Sequence, residues 1–143
     1  MNRIQDIQQT FGNIDIYLFD QLLKGTYQNC RTVLDAGCGT GRNLIYFLNN
    51  AYDVHGVDHY PESINQIKSL VKETLNLKAA ENFHIASVED MPFENDKFDL
   101  VISSAVLHFA QSLGHFEGML CEMWRVLKPG GYLFCRLASD IGI

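Results

Sequence analysis

The stretch VLDAGCGTGRNL, residues 33–44, joins an apolar run that contains one aspartate to a turn with three glycines in five positions. Glycine adopts backbone conformations that other residues avoid, and its missing side chain lets a ligand come close to the backbone. Asp35 places a carboxylate near the end of the apolar run, just before this turn. The stretch therefore predicts a buried strand that ends at a ligand-binding turn.

Short apolar runs and segments with helical spacing alternate along the rest of the chain. The runs rich in Val, Ile, Leu and Phe predict five strands, at 32–36, 53–57, 83–86, 98–103 and 132–137. Apolar residues at helical spacing predict four helices, at 14–24, 41–50, 61–75 and 114–127. Strands that alternate with helices form a parallel sheet covered on both faces. The predicted fold class is therefore α/β, a doubly wound parallel sheet preceded by an N-terminal helical segment.

Composition limits the kinds of protein that this chain can be. Its 143 residues are 47% hydrophobic, which suffices for one domain with its own core. The net charge of −6 and the dispersed Lys and Arg residues argue against nucleic acid as a partner. The first residues lack the apolar core of a signal peptide, and no apolar run is long enough to span a bilayer. We therefore expect a cytoplasmic protein that does not bind a membrane.

Several chemically distinctive residues are best explained by packing. The cysteines match neither a C-x-x-C pair nor a zinc site, and we expect reduced thiols, mostly in packing roles, at Cys30, Cys38, Cys121 and Cys135. Helical and strand spacing likewise assign Trp124 and Phe134 to the core. His55 and His59 are four positions apart but straddle a predicted strand end, so no metal site is expected.

The glycine turn can be compared with known phosphate-binding turns. A dinucleotide-binding turn would carry a third glycine where Arg42 stands, and a P-loop would need a Gly-Lys-Ser/Thr sequence. Asp35 would repel a pyrophosphate but suits a ligand with cationic groups. Asp58 lies about 20 residues beyond Gly37, the spacing at which a carboxylate meets ribose hydroxyls in this architecture. These residues favour a cationic ligand that contains a ribose.

At this point the sequence resembles a known family, the class I S-adenosylmethionine-dependent methyltransferases. VLDAGCGTG at 33–41 matches the first motif of that family, and VHGVDHYPESI at 54–64 resembles the second. ASVEDMPFENDKFDLVISSAVLHFA at 86–110 resembles the third and fourth motifs, and WRVLKPGGYLFCRL at 124–137 the helix, turn and fifth strand that follow. These motifs follow one another along the chain in the same order as in members of that family. The resemblance implies a Rossmann-like sheet of strand order 3-2-1-4-5 and S-adenosylmethionine as cofactor.

The resemblance also implies a role for individual residues. Asp35 is expected to hold the methionine amino group, and Asp58 to accept hydrogen bonds from both ribose hydroxyls. Gly37 and Gly39 are expected to let the backbone approach the cofactor, and His59 to lie against the adenine. Further candidates for cofactor contacts are Cys38, Arg42, Asn43, Ser87, Val88, Glu89 and Ser103.

The candidate catalytic groups follow the fourth predicted strand. Histidine titrates near neutrality, and both His108 and His115 come after the strand end at which a methyl acceptor is expected. The alternative for His108 is that it packs under the following helix with its apolar neighbours. Family resemblance further suggests that the N-terminal helix, with Tyr17, folds over the opening as a lid.

The segment SSAVLHF at 103–109 narrows the choice of acceptor. It lacks the Asp/Asn-Pro-Pro-aromatic sequence of enzymes that methylate base amino groups, and the chain lacks the Pro-Cys pair of those that attack cytosine. Together with the acidic charge, this favours methyl transfer to a small-molecule acceptor, with S-adenosylhomocysteine as product. Two alternatives stay open: transfer of another part of the cofactor, such as an aminopropyl group, and binding of the cofactor without catalysis.

Members of the resembled family typically continue past the fifth strand with an antiparallel pair of strands. The 143 residues are expected to form a single methyltransferase-like domain, with a helical cap at 1–30 and a cofactor-binding core at 31–143, and to be part of a longer protein. The fifth strand would otherwise be an apolar sheet edge, at which two copies of the chain could pair as a homodimer.

Overall fold

The computed structural model describes residues 3–137 and contains one five-stranded parallel sheet. The strands are β1 (Thr32–Ala36), β2 (Asp53–Asp58), β3 (Phe83–Ile85), β4 (Phe98–Ser104) and β5 (Leu127–Arg136). Their order is β3-β2-β1-β4-β5, and every neighbouring pair is parallel. This confirms the predicted doubly wound, Rossmann-like α/β sheet of order 3-2-1-4-5.

The helices are α1 (Arg3–Phe11), α2 (Ile16–Leu23), α3 (Ile45–Asn49), α4 (Pro61–Val71) and α5 (Leu113–Val126). The helix predicted at 41–50 is shorter than expected, because Gly41 has a φ of +90° and cannot belong to a right-handed helix. The helix predicted at 61–75 also ends early. The Thr74 hydroxyl donates to the carbonyl of Val71 at 2.7 Å and so replaces a helical hydrogen bond there.

Two apolar clusters cover the two faces of the sheet. Neighbouring residues of a strand point to opposite faces, and accordingly Val33 and Leu34, both fully buried, belong to different clusters. Phe134 is buried as predicted. The prediction for Trp124 is wrong, because its side chain is 72% exposed. Helix α5 buries the face that contains Met123, and the adjacent position lies about 100° around the helix, which turns Trp124 outward.

The cysteines divide into two groups. Cys30 and Cys38 are buried, whereas Cys121 and Cys135 are exposed, so the packing role that we predicted holds only for the first two. All four thiols are free. No helix within residues 3–137 is both long and apolar enough to cross a membrane.

The N-terminal helices pack against the main fold through apolar and aromatic contacts. Leu18 of α2 is fully buried in the cluster on one face of the sheet. Phe11 stacks on Tyr46 of α3 with ring centroids 5.5 Å apart and meets Phe19 edge-on at 4.8 Å. These contacts place the loop between α1 and α2 near the carboxyl ends of the strands.

Candidate functional site

A cleft of about 530 Å³ opens at the carboxyl ends of β1, β2, β3 and β4. In a sheet of this order the helices leave β1 and β4 in opposite directions, and ligands bind at that point. The volume is in the range of small-molecule sites. The residues that line the cleft are Gly37, Asp58, His59, Tyr60, Ser87, Val88, Glu89, Ser104, Ala105, Val106, Phe109, Gln111, His115 and Met119.

The glycine turn contributes Gly37 to the lining of the cleft. The backbone N–H groups of Gly37 and Cys38 both donate to the carbonyl of Val57, at 2.9 and 2.8 Å, and so fix the turn against β2. Gly37 has a φ of +77°, and a Cβ there would lie 2.7 Å from Cγ2 of Val106. A Cβ on Gly39, by contrast, would meet no atom within 4 Å. The turn therefore requires glycine for its conformation at Gly37 and leaves open space beside Gly39.

Asp58 ends β2 with its carboxylate in the wall of the cleft. One carboxylate oxygen accepts from the N–H of Gly39 and the other from the N–H of Tyr60, both at 2.9 Å. A carboxylate can accept about four hydrogen bonds, so acceptor positions remain on both oxygens. Because two backbone N–H groups bind the carboxylate and only 8% of the residue is exposed, the carboxylate is held in one orientation.

Asp35 lies beneath the turn and is only 2% exposed. Among the described residues, no group donates a hydrogen bond to its carboxylate. Burial raises the pKa of Asp35 to about 7, the Arg42 guanidinium opposes this rise, and the charge of Asp58 adds to it. A buried carboxylate without a donor is stabilised by a cationic group that approaches it.

Cys38 is buried beside Asp35 and does not line the cleft. Burial raises the pKa of its thiol, and the negative charges of Asp35 and Asp58 raise it further. The thiol therefore stays neutral and unreactive near neutral pH. Its sulfur packs against β2, since a Cβ on Gly56 would lie 3.0 Å from it.

Arg42 and Asn43, two predicted cofactor contacts, bind the N-terminal segment instead of lining the cleft. Arg42 donates to the carbonyl of Asn13 at 3.1 Å and to the hydroxyl of Ser104 at 3.3 Å. The side-chain oxygen of Asn43 accepts from the N–H of Asp15 at 2.8 Å. Both residues therefore tie the loop between α1 and α2 to the end of the sheet.

Asp15 is the centre of this connection, and sequence analysis missed it. Its carboxylate accepts from the Tyr17 N–H at 2.9 Å, from the Ser104 hydroxyl at 2.7 Å and from Nε of Arg136. Burial alone would raise the pKa of Asp15, but these hydrogen bonds and the Arg136 charge lower it below its ordinary value. We call Asp15, Asn43, Ser104 and Arg136 the Asp15 cluster. The sequence signals only that Asp15 caps a helix.

The structure separates the two candidate histidines. His115 lines the cleft, its Nδ1 accepts from the N–H of Gln111 at 3.0 Å, and its Nε2 lies 3.3 Å from Oε2 of Glu89. His108 is exposed, lies outside the cleft lining and contacts Phe109 with ring centroids 4.3 Å apart and ring planes tilted by 40°. Tyr17 is 63% exposed and also lies outside the lining.

Ser103 is fully buried, and its hydroxyl has no hydrogen-bond partner among the described residues. The next residue, Ser104, lines the cleft instead. Further lining residues that sequence analysis did not single out are Tyr60, Ala105, Val106, Phe109, Gln111 and Met119. Apart from the position of Tyr60 and Ala105 within three residues of predicted strand ends, the sequence offers no signal for them. No group of three or more potential metal ligands occurs within the part of the chain that the structure describes.

The comparison with known proteins agrees with this geometry. The family described as methyltransferase domain matches residues 34–135. The uncharacterized methyltransferase YodH of Bacillus subtilis is 37% identical over 101 residues, which cover 71% of this chain and 40% of YodH. A malonyl-[acyl-carrier protein] O-methyltransferase of Enterobacter lignolyticus is 33% identical over 109 residues, 76% of this chain and 39% of that enzyme.

The fold also matches solved structures. The crystal structure of the PH0226 protein from Pyrococcus horikoshii OT3 superposes with a TM-score of 0.68 and 26% sequence identity, covering 82% of this chain and 50% of that one. This chain thus spans half or less of the length of these relatives. The motif order, the sheet order and the family match together show that the chain belongs to the class I S-adenosylmethionine-dependent methyltransferases.

Proposed function

We propose that the chain binds S-adenosylmethionine in the cleft and transfers its methyl group to a small-molecule acceptor. The observation that carries this proposal is the Asp58 carboxylate, which the backbone holds at the end of β2 with free acceptor positions. Two adjacent ribose hydroxyls are a matching pair of donors. The open space beside Gly39 and the buried Asp35 carboxylate fit the rest of the cofactor.

Each part of the cleft has a task in this proposal. Asp58 accepts from the ribose hydroxyls, and Asp35 stabilises the methionine ammonium from beneath the turn. His59 and residues 87–89 lie where the adenine is expected, and Gly37 and Gly39 leave room for the backbone contact. The bound cofactor supplies an electrophilic methyl group, so the protein has mainly to align the acceptor and exclude water. Cys38, Arg42, Asn43 and Ser103 lie outside the cleft lining and have no direct contact with the cofactor in this proposal.

The acceptor side of the cleft supports a small molecule without phosphate groups. Val106, Phe109 and Met119 contribute apolar surface to the lining, and Phe109 is 73% exposed at its edge. No described lining residue is Lys or Arg. The nearest arginines are engaged, Arg136 with Asp15 and Arg42 with Asn13 and Ser104. Nothing in the described cleft would therefore neutralise a nucleic acid backbone.

Binding of S-adenosylhomocysteine tests the proposal directly. Asp35 is largely protonated below its pKa of about 7, and the ligand ammonium requires the ionised form. We therefore expect the affinity to rise from pH 5.5 to 7 and binding at pH 6.5 to release protons, measured by calorimetry in two buffers of different ionisation enthalpy. Asp35→Asn should weaken binding at least tenfold and abolish the proton release. Absence of binding to the wild-type chain would overturn the proposal.

A turnover assay with mass analysis separates methyl transfer from the other uses of the cofactor. A mass gain of one methyl group on an acceptor supports the proposal, and transfer of an aminopropyl group contradicts it. Binding without any product across a broad acceptor panel would favour a cofactor-binding module.

His108 is the candidate general base for acceptors that lose a proton. It lies outside the lining but its ring contacts that of Phe109, which belongs to the lining. If His108 removes the proton, His108→Ala should lower the single-turnover rate about 100-fold at unchanged affinity for S-adenosylhomocysteine. An unchanged rate with a lowered melting temperature would assign His108 to packing.

A further inference from the structure

The side chain of His115 has a polar partner at each ring nitrogen, a hydrogen bond at Nδ1 and a carboxylate contact at Nε2. Nδ1 lies 3.0 Å from the backbone nitrogen of Gln111, and Nε2 lies 3.3 Å from Oε2 of Glu89. A backbone N–H can only donate, so Nδ1 must carry the lone pair. A neutral imidazole then carries its proton on Nε2, where it faces the carboxylate of Glu89. The hydrogen bond from the Gln111 N–H therefore specifies the neutral tautomer that carries its proton on Nε2.

This tautomer does not suit a general base. A base needs a free lone pair within hydrogen-bond reach of the proton that it removes. The lone pair of His115 is directed at the N–H of Gln111, and its other nitrogen is protonated. His115 thus lines the cleft without offering a proton acceptor to it.

The partner of His115 belongs to a segment that runs along helix α5. Further along this segment, the N–H of Met91 donates to Glu122 at 2.7 Å, and Arg125 donates to the carbonyls of Met91 and Phe93 at 3.2 and 2.7 Å. These contacts attach the segment to the C-terminal half of α5. The contact between His115 and Glu89 attaches its cleft end, residues 87–89, to the first turn of the same helix.

The segment packs directly beside the helix at Gly118. A Cβ at Gly118 would lie 3.8 Å from Cβ of Glu89, which is an ordinary van der Waals contact. Glu89 therefore packs beside α5 at Gly118, and its carboxylate contacts Nε2 of His115. Its side chain is 39% exposed and that of His115 27%, which makes the contact accessible and of moderate strength.

We propose that His115 is a positioning residue that holds residues 87–89 in the conformation that binds the adenine end of the cofactor. The contact between Nε2–H and the Glu89 carboxylate orients this segment, and the hydrogen bond from the Gln111 N–H fixes the tautomer that carries the proton on Nε2. This inference rests on the proposed function, because it assigns S-adenosylmethionine to the cleft. According to this proposal, His115 contributes to the affinity for the cofactor and does not take part in the chemical step.

The tautomer can be tested without any ligand. Nitrogen-15 NMR of the imidazole in the free wild-type protein at pH 8 should show His115 as the neutral ring with its proton on Nε2. A ring protonated on Nδ1 would overturn the proposal even if the cleft binds the cofactor as expected.

Calorimetry with S-adenosylhomocysteine tests the role in binding. His115→Phe keeps a flat ring but removes the hydrogen bond with Gln111 and the contact with Glu89, and it should weaken binding about fivefold. His115→Gln restores a donor toward Glu89 and should bind within about twofold of wild type. Glu89→Ala should weaken binding as His115→Phe does, and the double variant should lose no more than either alone. Glu117→Gln, an exposed change on the same helix, is the matched control and should not alter binding.

Kinetics separate positioning from catalysis. At saturating S-adenosylmethionine, His115→Phe should keep kcat within about threefold of wild type. A loss of kcat near 100-fold at unchanged affinity would make His115 a base and overturn the proposal. Unchanged affinity in His115→Phe, or no recovery in His115→Gln, would overturn it as well. If the wild-type protein binds no S-adenosylhomocysteine, the proposed function itself fails, and the tautomer measurement still reports on His115.

Discussion

Asp58→Ala is expected to weaken the binding of S-adenosylhomocysteine about 100-fold. The substitution removes the acceptor of two hydrogen bonds from ribose, each of which contributes about 1.5 kcal/mol or more because the acceptor is charged. A loss of about 3 kcal/mol corresponds to two decades in the dissociation constant. The N–H groups of Gly39 and Tyr60 also lose their acceptor, which loosens the turn at the cofactor. Isothermal calorimetry at constant pH measures the effect.

The matched control for Asp58→Ala is Glu62→Gln, which removes an exposed carboxylate in the first turn of α4 outside the cleft lining. This variant should bind the ligand as wild type does. Circular dichroism of both variants checks that the fold is retained. A change of less than threefold for Asp58→Ala in a folded protein would show that the ribose does not bind at β2.

Arg136→Met is expected to lower the free energy of unfolding by about 3 kcal/mol. The side chain of Asp15 is 1% exposed, so the loss of the guanidinium leaves a buried carboxylate without its cation. Two neutral donors, the Tyr17 N–H and the Ser104 hydroxyl, remain and limit the loss. Urea denaturation with linear extrapolation measures the difference. Because the pKa of Asp15 is lowered in the folded protein, this difference persists above the ordinary pKa of about 3.9 and decreases as the pH falls below it.

Two further variants test this interpretation of Arg136. Asp15→Asn combined with Arg136→Met keeps the shape of the Asp15 cluster without a buried charge, and it should recover more than half of the lost stability. Arg31→Met removes an exposed arginine that forms no ion pair among the described residues, and it should change stability by less than about 0.5 kcal/mol. If Arg136→Met is no more destabilising than Arg31→Met, then Arg136 does not stabilise the fold by compensating the buried charge of Asp15.

The parts of the fold that sequence reasoning could predict depend on local patterns. The strand and turn at 32–41 follow from an apolar run and three glycines, and the position of Asp58 follows from the end of the next run. The ends of helices and the orientation of single side chains were harder to predict from the sequence. At the end of α4 the hydroxyl of Thr74 competes for a helical hydrogen bond, and on α5 Trp124 lies one position away from the buried face. Such outcomes depend on competing contacts that periodicity does not encode.

In the candidate site, too, local sequence patterns predicted the positions of some residues but not the direction of every side chain. The residues predicted at strand ends, such as Gly37, Asp58 and Ser87, do come together at one cleft because parallel strands end at the same edge. Arg42 adjoins the glycine turn in sequence, yet its guanidinium is directed to Asn13 and Ser104. The direction of that side chain depends on a segment that precedes the motif and carries no motif of its own.

The ion pair between Asp15 and Arg136 also bears on the order in which the chain folds. The two residues are 121 positions apart, and the entropy lost in closing a loop grows with its length. Strands β1 to β4 lie within the loop between them, so closing that loop before the sheet assembles would cost the most entropy. A contact made after the rate-limiting step slows unfolding and leaves the folding rate almost unchanged. We therefore expect the pair to prolong the lifetime of the folded state without hastening its formation.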